Sequence, residues 1–273
     1  MKVNKIFSKN ADFQRFQVLQ SNRNKRYQYN EFLVEGVRCI NAAILNNWHI
    51  SSFLYTEETP LSNWATDLLK NVKTDVNYEL SHDLMVELSK KEDTSELMAI
   101  VRMREDTLSQ IHLSDNPILA LFDRPSNKGN LGTMIRSCDA LGITGLIITG
   151  HAVDLYDPDV ISASMGSFFK IPVIRIADVA LIENFIQNMK IDYPAFQTIG
   201  TTAHKERNLF DVDLTTPLLF MIGNETDGLC NRFKDVCDIL TTIPMSMDSS
   251  ATSLNVACAA TVLFYEAVRQ RMV

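Results

Sequence analysis

An α/β fold built on a mostly parallel sheet is what this 273-residue sequence predicts. Apolar runs of strand length alternate with amphipathic helical segments, the pattern that places helices on both faces of a parallel sheet. Two such series follow one another, parted by the polar segment REDTLSQIHLSDN, Arg104 to Asn116. No internal repeat, low-complexity tract or heptad series competes with this reading.

In the first series EFLVEG reads as a strand and VRCINAAILNN as a helix. HISSFLY is the next strand, LSNWATDLLKNV a helix, SHDLMVELSK a helix opened by a serine cap, and ELMAIVRM a closing strand. After the linker, PILALFD has the pattern of a buried strand, NLGTMIRSCDALGI that of a helix ending near Gly142, and GLIITG that of another strand. FQTIGTT, PLLFMIG and ILTTIPM are further strands, interleaved with helices at DVALIENFIQNMK and NRFKDVC. The last helix runs from about Ser253 to Arg271. The expected boundaries are a domain over residues 1–104, a linker over 105–116 and a second domain over 117–273.

With 46% hydrophobic and 22% charged residues, the chain can bury one large or two modest cores. No stretch approaches the ~20 apolar residues of a membrane helix. The opening MKVNKIFSKNADFQRF has no apolar run ending in a small-residue cleavage site, so a cytoplasmic protein is expected. Five cysteines and five histidines lie dispersed, with no C-x-x-C and no ligand spacing. Reduced thiols, no metal and no Cys–His nucleophile are therefore expected.

A net charge of −7 argues against nonspecific coating of nucleic acid. The distribution is uneven, however. Residues 1–30 carry Lys2, Lys5, Lys9, Arg15, Arg23, Lys25 and Arg26 against one acid, Asp12, a local charge of +6 suited to docking on a polyanion or to a solvated face.

In parallel sheets ligands bind beyond the carboxyl ends of strands. Three strand ends here carry unexpected residues. PILALFD is followed by RPSNKGNLGTMIR, with glycines on either side of Asn130 and with Arg136 two turns into a helix. The glycines permit close backbone approach, but the spacing is not that of a dinucleotide fingerprint. PLLFMIG runs directly into NETDGL, where Glu225 must be paired, hydrogen-bonded or solvated. ILTTIPM leads into SMDSSATSLNVACAA, a loop of small residues before a helix. Capping accounts for Ser253 but not for Asn255, a poor helix former set between Leu254 and Val256.

Taken together, NLGTMIR, MIGNETDGL and IPM with SLNVACAATVLFYEAVRQR resemble the three motifs of the SpoU, or TrmH, family of RNA ribose 2′-O-methyltransferases, within the SPOUT superfamily. The N-terminal series, with FLVEGVRCINAAI, resembles the L30e-like substrate-binding domain that precedes the catalytic domain in many of these enzymes. The resemblance implies a catalytic domain closed by a deep trefoil knot, S-adenosylmethionine as cofactor, an RNA substrate and a homodimer with the site completed near its interface. Ribosomal RNA, 23S rRNA above all, is the implied substrate, because tRNA-specific members often lack the L30e-like domain. Gly223, Ile222, Ile243, Leu254 and Thr202 would line the cofactor pocket. Asn130, Arg136, Glu225, Ser253 and Asn255 would form the polar catalytic cluster. Two departures from the family pattern are Ser162, where SASMGSFFKIPV often follows an arginine, and Thr226.

The implied reaction moves a methyl group from a sulfonium to a ribose hydroxyl, so alignment is the protein's main task. Family accounts make the arginine a base. A guanidinium stays protonated, so Arg136 is better read as a phosphate clamp that stabilises charge developing on the oxygen. Phe13, Phe16, Tyr27, Tyr29 and the basic front would contact RNA. The rivals are the same chemistry on tRNA, a noncatalytic RNA-binding relative, and a nucleotide-dependent oxidoreductase, which lacks its fingerprint.

Overall fold

The computed structural model describes residues 2–89, 91–202 and 206–272. In chain order the elements are β1 (Val3–Ile6), α1 (Ala11–Ser21), α2 (Arg23–Tyr29), β2 (Glu31–Glu35), α3 (Val37–Leu45), β3 (Ile50–Tyr55), α4 (Asn63–Asn71), β4 (Asn77–Leu80), α5 (His82–Leu88) and β5 (Leu97–Arg102). They continue as β6 (Ile118–Asp123), α6 (Lys128–Ala140), β7 (Gly145–Thr149), α7 (Pro158–Ala163), β8 (Val173–Ile176), α8 (Val179–Asp192), β9 (Gln197–Thr201), β10 (Arg207–Asn208), β11 (Leu218–Ile222), α9 (Asn231–Asp235), β12 (Ile239–Thr242) and α10 (Val256–Arg271). Two compact units result: Met1–Arg104 with Asp154–Lys170, and Glu105–Val153 with Ile171–Val273.

The first unit holds a five-stranded sheet in the order β1-β4-β3-β5-β2. β1 and β3 run parallel to β4, whereas β5 is antiparallel to both its neighbours. Helix α1 starts at Asn10, whose side chain accepts from the Phe13 amide at 2.9 Å, and buries Phe13, Phe16 and Leu19. Phe13 and Phe16 are fully buried and so are core residues, not stacking platforms for bases. Tyr27 and Tyr29 stay exposed. The basic front is also weaker than its formal charge. Lys5 pairs with Glu79 at 2.7 Å, Lys9 with Glu87 at 2.8 Å, and Arg15 with Glu31. Ser81 precedes α5, but its hydroxyl makes no cap bond.

Arg26 is buried as well. Its guanidinium meets Asp154 at 2.6 Å and Asp157 at 3.4 Å and donates to the carbonyls of Leu19 and Gln20. A buried cation is tolerated only with such compensation. The same segment supplies Tyr156, Phe168 and Phe169 to a ring cluster with Phe32 and Trp48, and the Trp48 indole donates to the Phe169 carbonyl at 2.8 Å. Ser162 lies in this segment, exposed.

The second unit is a seven-stranded sheet, parallel at every pairing, in the order β10-β12-β9-β11-β6-β7-β8. β11, and β6 and β7 up to their terminal Asp123 and Thr149, are apolar because both faces are covered. Leu219 and Met221 join a cluster with Ile182, Ile186 and Met189 of α8, while Phe220 meets Phe264 of α10. Full burial of a phenylalanine contributes roughly 1.5–3 kcal/mol. The chain leaves β6 toward β7 and later returns to lay β11 on the other side of β6. That reversal opens a crevice beyond the carboxyl ends of β6 and β11.

Candidate active site

The two segments that follow β6 and β11 are held by hydrogen bonds within the β11 turn and between the two loops. After β11, Asn224 and Gly228 exchange backbone hydrogen bonds at 3.1 and 3.0 Å, and the Asn224 side chain accepts from the amides of Thr226 and Asp227. Gly228 adopts φ +68°, which glycine takes without strain. The loop closes so tightly that a Cβ on Gly223 would overlap the backbone of Gly228 and Leu229.

After β6, Asp123 is buried and accepts from Thr149 Oγ1 at 2.9 Å and from the Cys230 amide at 3.0 Å. Arg124 closes over it, bonded to Asp123 and to the Gly228 carbonyl at 3.1 Å, in a left-handed backbone conformation with φ +52°. The Asn224 amide donates to the Arg124 carbonyl at 2.6 Å. The β6 and β11 loops are thereby one unit of structure.

Glu225 is the centre of the polar network. One carboxylate oxygen accepts from the Ser126 amide and hydroxyl at 3.0 and 2.7 Å, the other from the Asn127 amide at 3.2 Å and Asn130 Nδ2 at 3.1 Å. Burial pushes this carboxyl up, but the bonds from Ser126 and Asn130 outweigh it and hold the group below its ordinary range. Four donors thereby occupy the acceptor positions of the Glu225 carboxylate and tie it to the β6 loop and α6.

Asn255 Nδ2 donates to Asn130 Oδ1 at 3.0 Å, extending the network to α10. Its own oxygen accepts from the amides of Ala257 and Cys258 at 2.9 and 3.3 Å. The cap of the last helix is therefore Asn255, not Ser253, and the helix begins at Val256. Ser253 lies two residues earlier in the exposed loop.

One cavity of about 610 Å³ adjoins this network, within the size range of small-molecule sites. Asn130, Glu225, Ser253 and Asn255 line it, as do Thr202, Ile222, Gly223, Ile243 and Leu254. Arg136 does not: it stands exposed on α6, six residues beyond Asn130, with no hydrogen bond or ion pair among the described residues. Asp123, Arg124, Ser126, Asn127 and Lys234 were not singled out from the sequence. Asp123 carried a usable signal, since an acid ending a wholly apolar strand requires partners just as Glu225 does. Among the described residues no group of three or more His, Cys, Asp or Glu is arranged to hold a metal.

Residues 117–265 match the SpoU rRNA Methylase family, and residues 10–99 match the SpoU L30e-like domain. The chain belongs to the SpoU rRNA methylase family. A family relative from Streptomyces viridochromogenes, a 23S rRNA (uridine(2479)-2′-O)-methyltransferase, is 42% identical over 269 residues, 98% of this chain and 93% of that protein. The Bacillus subtilis 23S rRNA (guanosine(2553)-2′-O)-methyltransferase RlmP is 25% identical, over 89% of this chain and 90% of its own. The crystal structure of the SpoU methyltransferase AviRb from S. viridochromogenes, in complex with the cofactor AdoMet, superposes with a TM-score of 0.91 at 43% identity, covering 97% of this chain and 99% of that one. In this SpoU methylase family member, the cavity is lined by residues of the segments MIGNETDGL and SLNVACAA, both within the matched region.

Proposed function

We propose that this chain is an S-adenosylmethionine-dependent RNA methyltransferase that methylates a ribose 2′-hydroxyl in 23S ribosomal RNA. The observation that carries the reading is the hydrogen-bonded run from Asn255 through Asn130 to Glu225 along one edge of the cavity. The cavity's chemistry fits the cofactor: apolar walls from Ile222, Ile243, Met245 and Leu254 suit a nucleoside ring, beside a turn whose backbone groups lie close to Gly223. Bound there, S-adenosylmethionine supplies an electrophilic methyl group and a good leaving group.

The protein's part is placement. Glu225 locks the β6 and β11 loops in register, Asn130 and Asn255 hold the ribose edge, and Ser253 contributes a hydroxyl from the loop before α10. Arg136 clamps the adjoining phosphate and stabilises charge as the hydroxyl loses its proton. Its place outside its own chain's cavity is what a homodimer supplying the arginine across its interface would require. The trefoil knot, the cytoplasmic location and the selection of RNA by the L30e-like region, with Tyr27 and Tyr29 as stacking surfaces, belong to the same reading.

The test is transfer of labelled methyl from S-adenosylmethionine to total RNA from a strain lacking this gene, fractionated by size. Label in the large ribosomal RNA that resists alkaline cleavage is expected. Arg136→Ala and Arg136→Lys proteins are expected to bind cofactor normally and transfer nothing. Label in the tRNA fraction would overturn the substrate, and loss of cofactor binding in the Arg136 variants would overturn that residue's role.

A further inference from the structure

Among the described residues, three ionisable side chains line the cavity: Glu225, Asp227 and Lys234. Two of them are committed elsewhere. Glu225 accepts four hydrogen bonds from the β6 loop and α6, and Asp227 faces Arg124 at 3.7 Å with most of its side chain in solvent. Two of the lining hydroxyls are engaged as well: Thr201 Oγ1 donates to the Met221 carbonyl at 3.4 Å and Thr241 Oγ1 to the Arg207 carbonyl at 2.9 Å. Lys234 differs from all of these. It is half-buried on α9, and its ammonium makes no hydrogen bond or ion pair among the described residues.

A half-buried ammonium without a partner, facing a cavity, selects for an anion. S-adenosylmethionine has one anionic group, the carboxylate of its amino-acid tail, and its sulfonium would be repelled by a lysine placed at the reacting end. Lys234 lies just ahead of β12, toward the β9–β12 side of the sheet, whereas Asn130 and its network lie on the β6 side. We infer that Lys234 binds the methionine carboxylate of the cofactor and so is a positioning residue that directs the sulfonium methyl toward Asn130. The inference rests on the reading of this cavity as a cofactor site.

The test uses the full chain and two ligands titrated by calorimetry. S-adenosylhomocysteine keeps the amino-acid tail, whereas 5′-methylthioadenosine keeps the nucleoside and thioether without it. Lys234→Ala and Lys234→Met are expected to weaken S-adenosylhomocysteine about tenfold or more while leaving 5′-methylthioadenosine within about twofold. Lys234→Arg is expected to retain most of the affinity. Equal weakening of both ligands would assign Lys234 a merely structural role, and no change for either would assign it to another partner such as an RNA phosphate; both results overturn the inference. Wild-type protein that binds neither ligand overturns the cofactor reading itself, and the inference with it.

Discussion

A single carboxamide does two jobs at Asn255. Its oxygen caps α10, and its nitrogen orients Asn130, whose own nitrogen then faces Glu225. Asn255→Asp separates the two, because aspartate caps as well as asparagine but presents an oxygen to Asn130. Its melting temperature is expected to stay near wild type while methyl transfer falls about 100-fold. Asn255→Ala adds a loss of about 1 kcal/mol in stability. An active Asn255→Asp protein would break the link between the network and turnover. Glu225 sets the acid limit. Its folded pKa is depressed, so its contribution to stability is complete above the ordinary carboxylate value and is lost as pH falls through the lower folded value. Unfolding measured against pH should show Glu225→Gln less stable than wild type at neutral pH, the gap closing in acid. Glu225 and Asn255 are legible in the sequence as polar residues in unexpected places, and Asn130 as the residue flanked by glycines after a buried strand. The division of labour is not, since capping depends on where the helix starts, and the sequence pattern puts that start about three residues early, at Ser253 and not Val256.

At the scale of elements, strands that are apolar on both faces announce themselves, and β6, β7 and β11 lie where their residue runs put them. β4 was hidden because buried polar groups break its pattern: Asn77 accepts from the Phe53 amide and Thr74, and Glu79 is paired with Lys5. β1, β8 and β10 are too short to carry a period. The turn after β11 was visible as glycines and polar residues, but its tightness depends on Arg124 and Asp123, far away in sequence. Gly223→Ala tests that tightness. The added methyl must push the Gly228–Leu229 backbone outward, an expected cost of about 1–3 kcal/mol together with loss of S-adenosylhomocysteine binding in calorimetry. Unchanged binding would show that the loop yields.

At the scale of the whole molecule, a linear reading cuts the chain once near residue 104, whereas the first unit also takes in Asp154–Lys170. The ring cluster of Phe32 and Trp48 with Tyr156, Phe168 and Phe169 spans those two stretches of sequence, as does the Arg26–Asp154 pair. Residues 105–273 expressed alone are therefore expected to bind a hydrophobic dye and to melt less cooperatively than the full chain, as dye fluorescence and circular dichroism would report; a well-folded, dye-silent fragment would show that the segment finds other partners. The chain passes between units at three places, after Arg104, after Val153 and after Lys170. In genetic terms, a single recombination crossover cannot exchange either unit intact. Each unit of such a gene must instead change by substitution within the lineage, and its history should be inseparable from that of the unit it is threaded through.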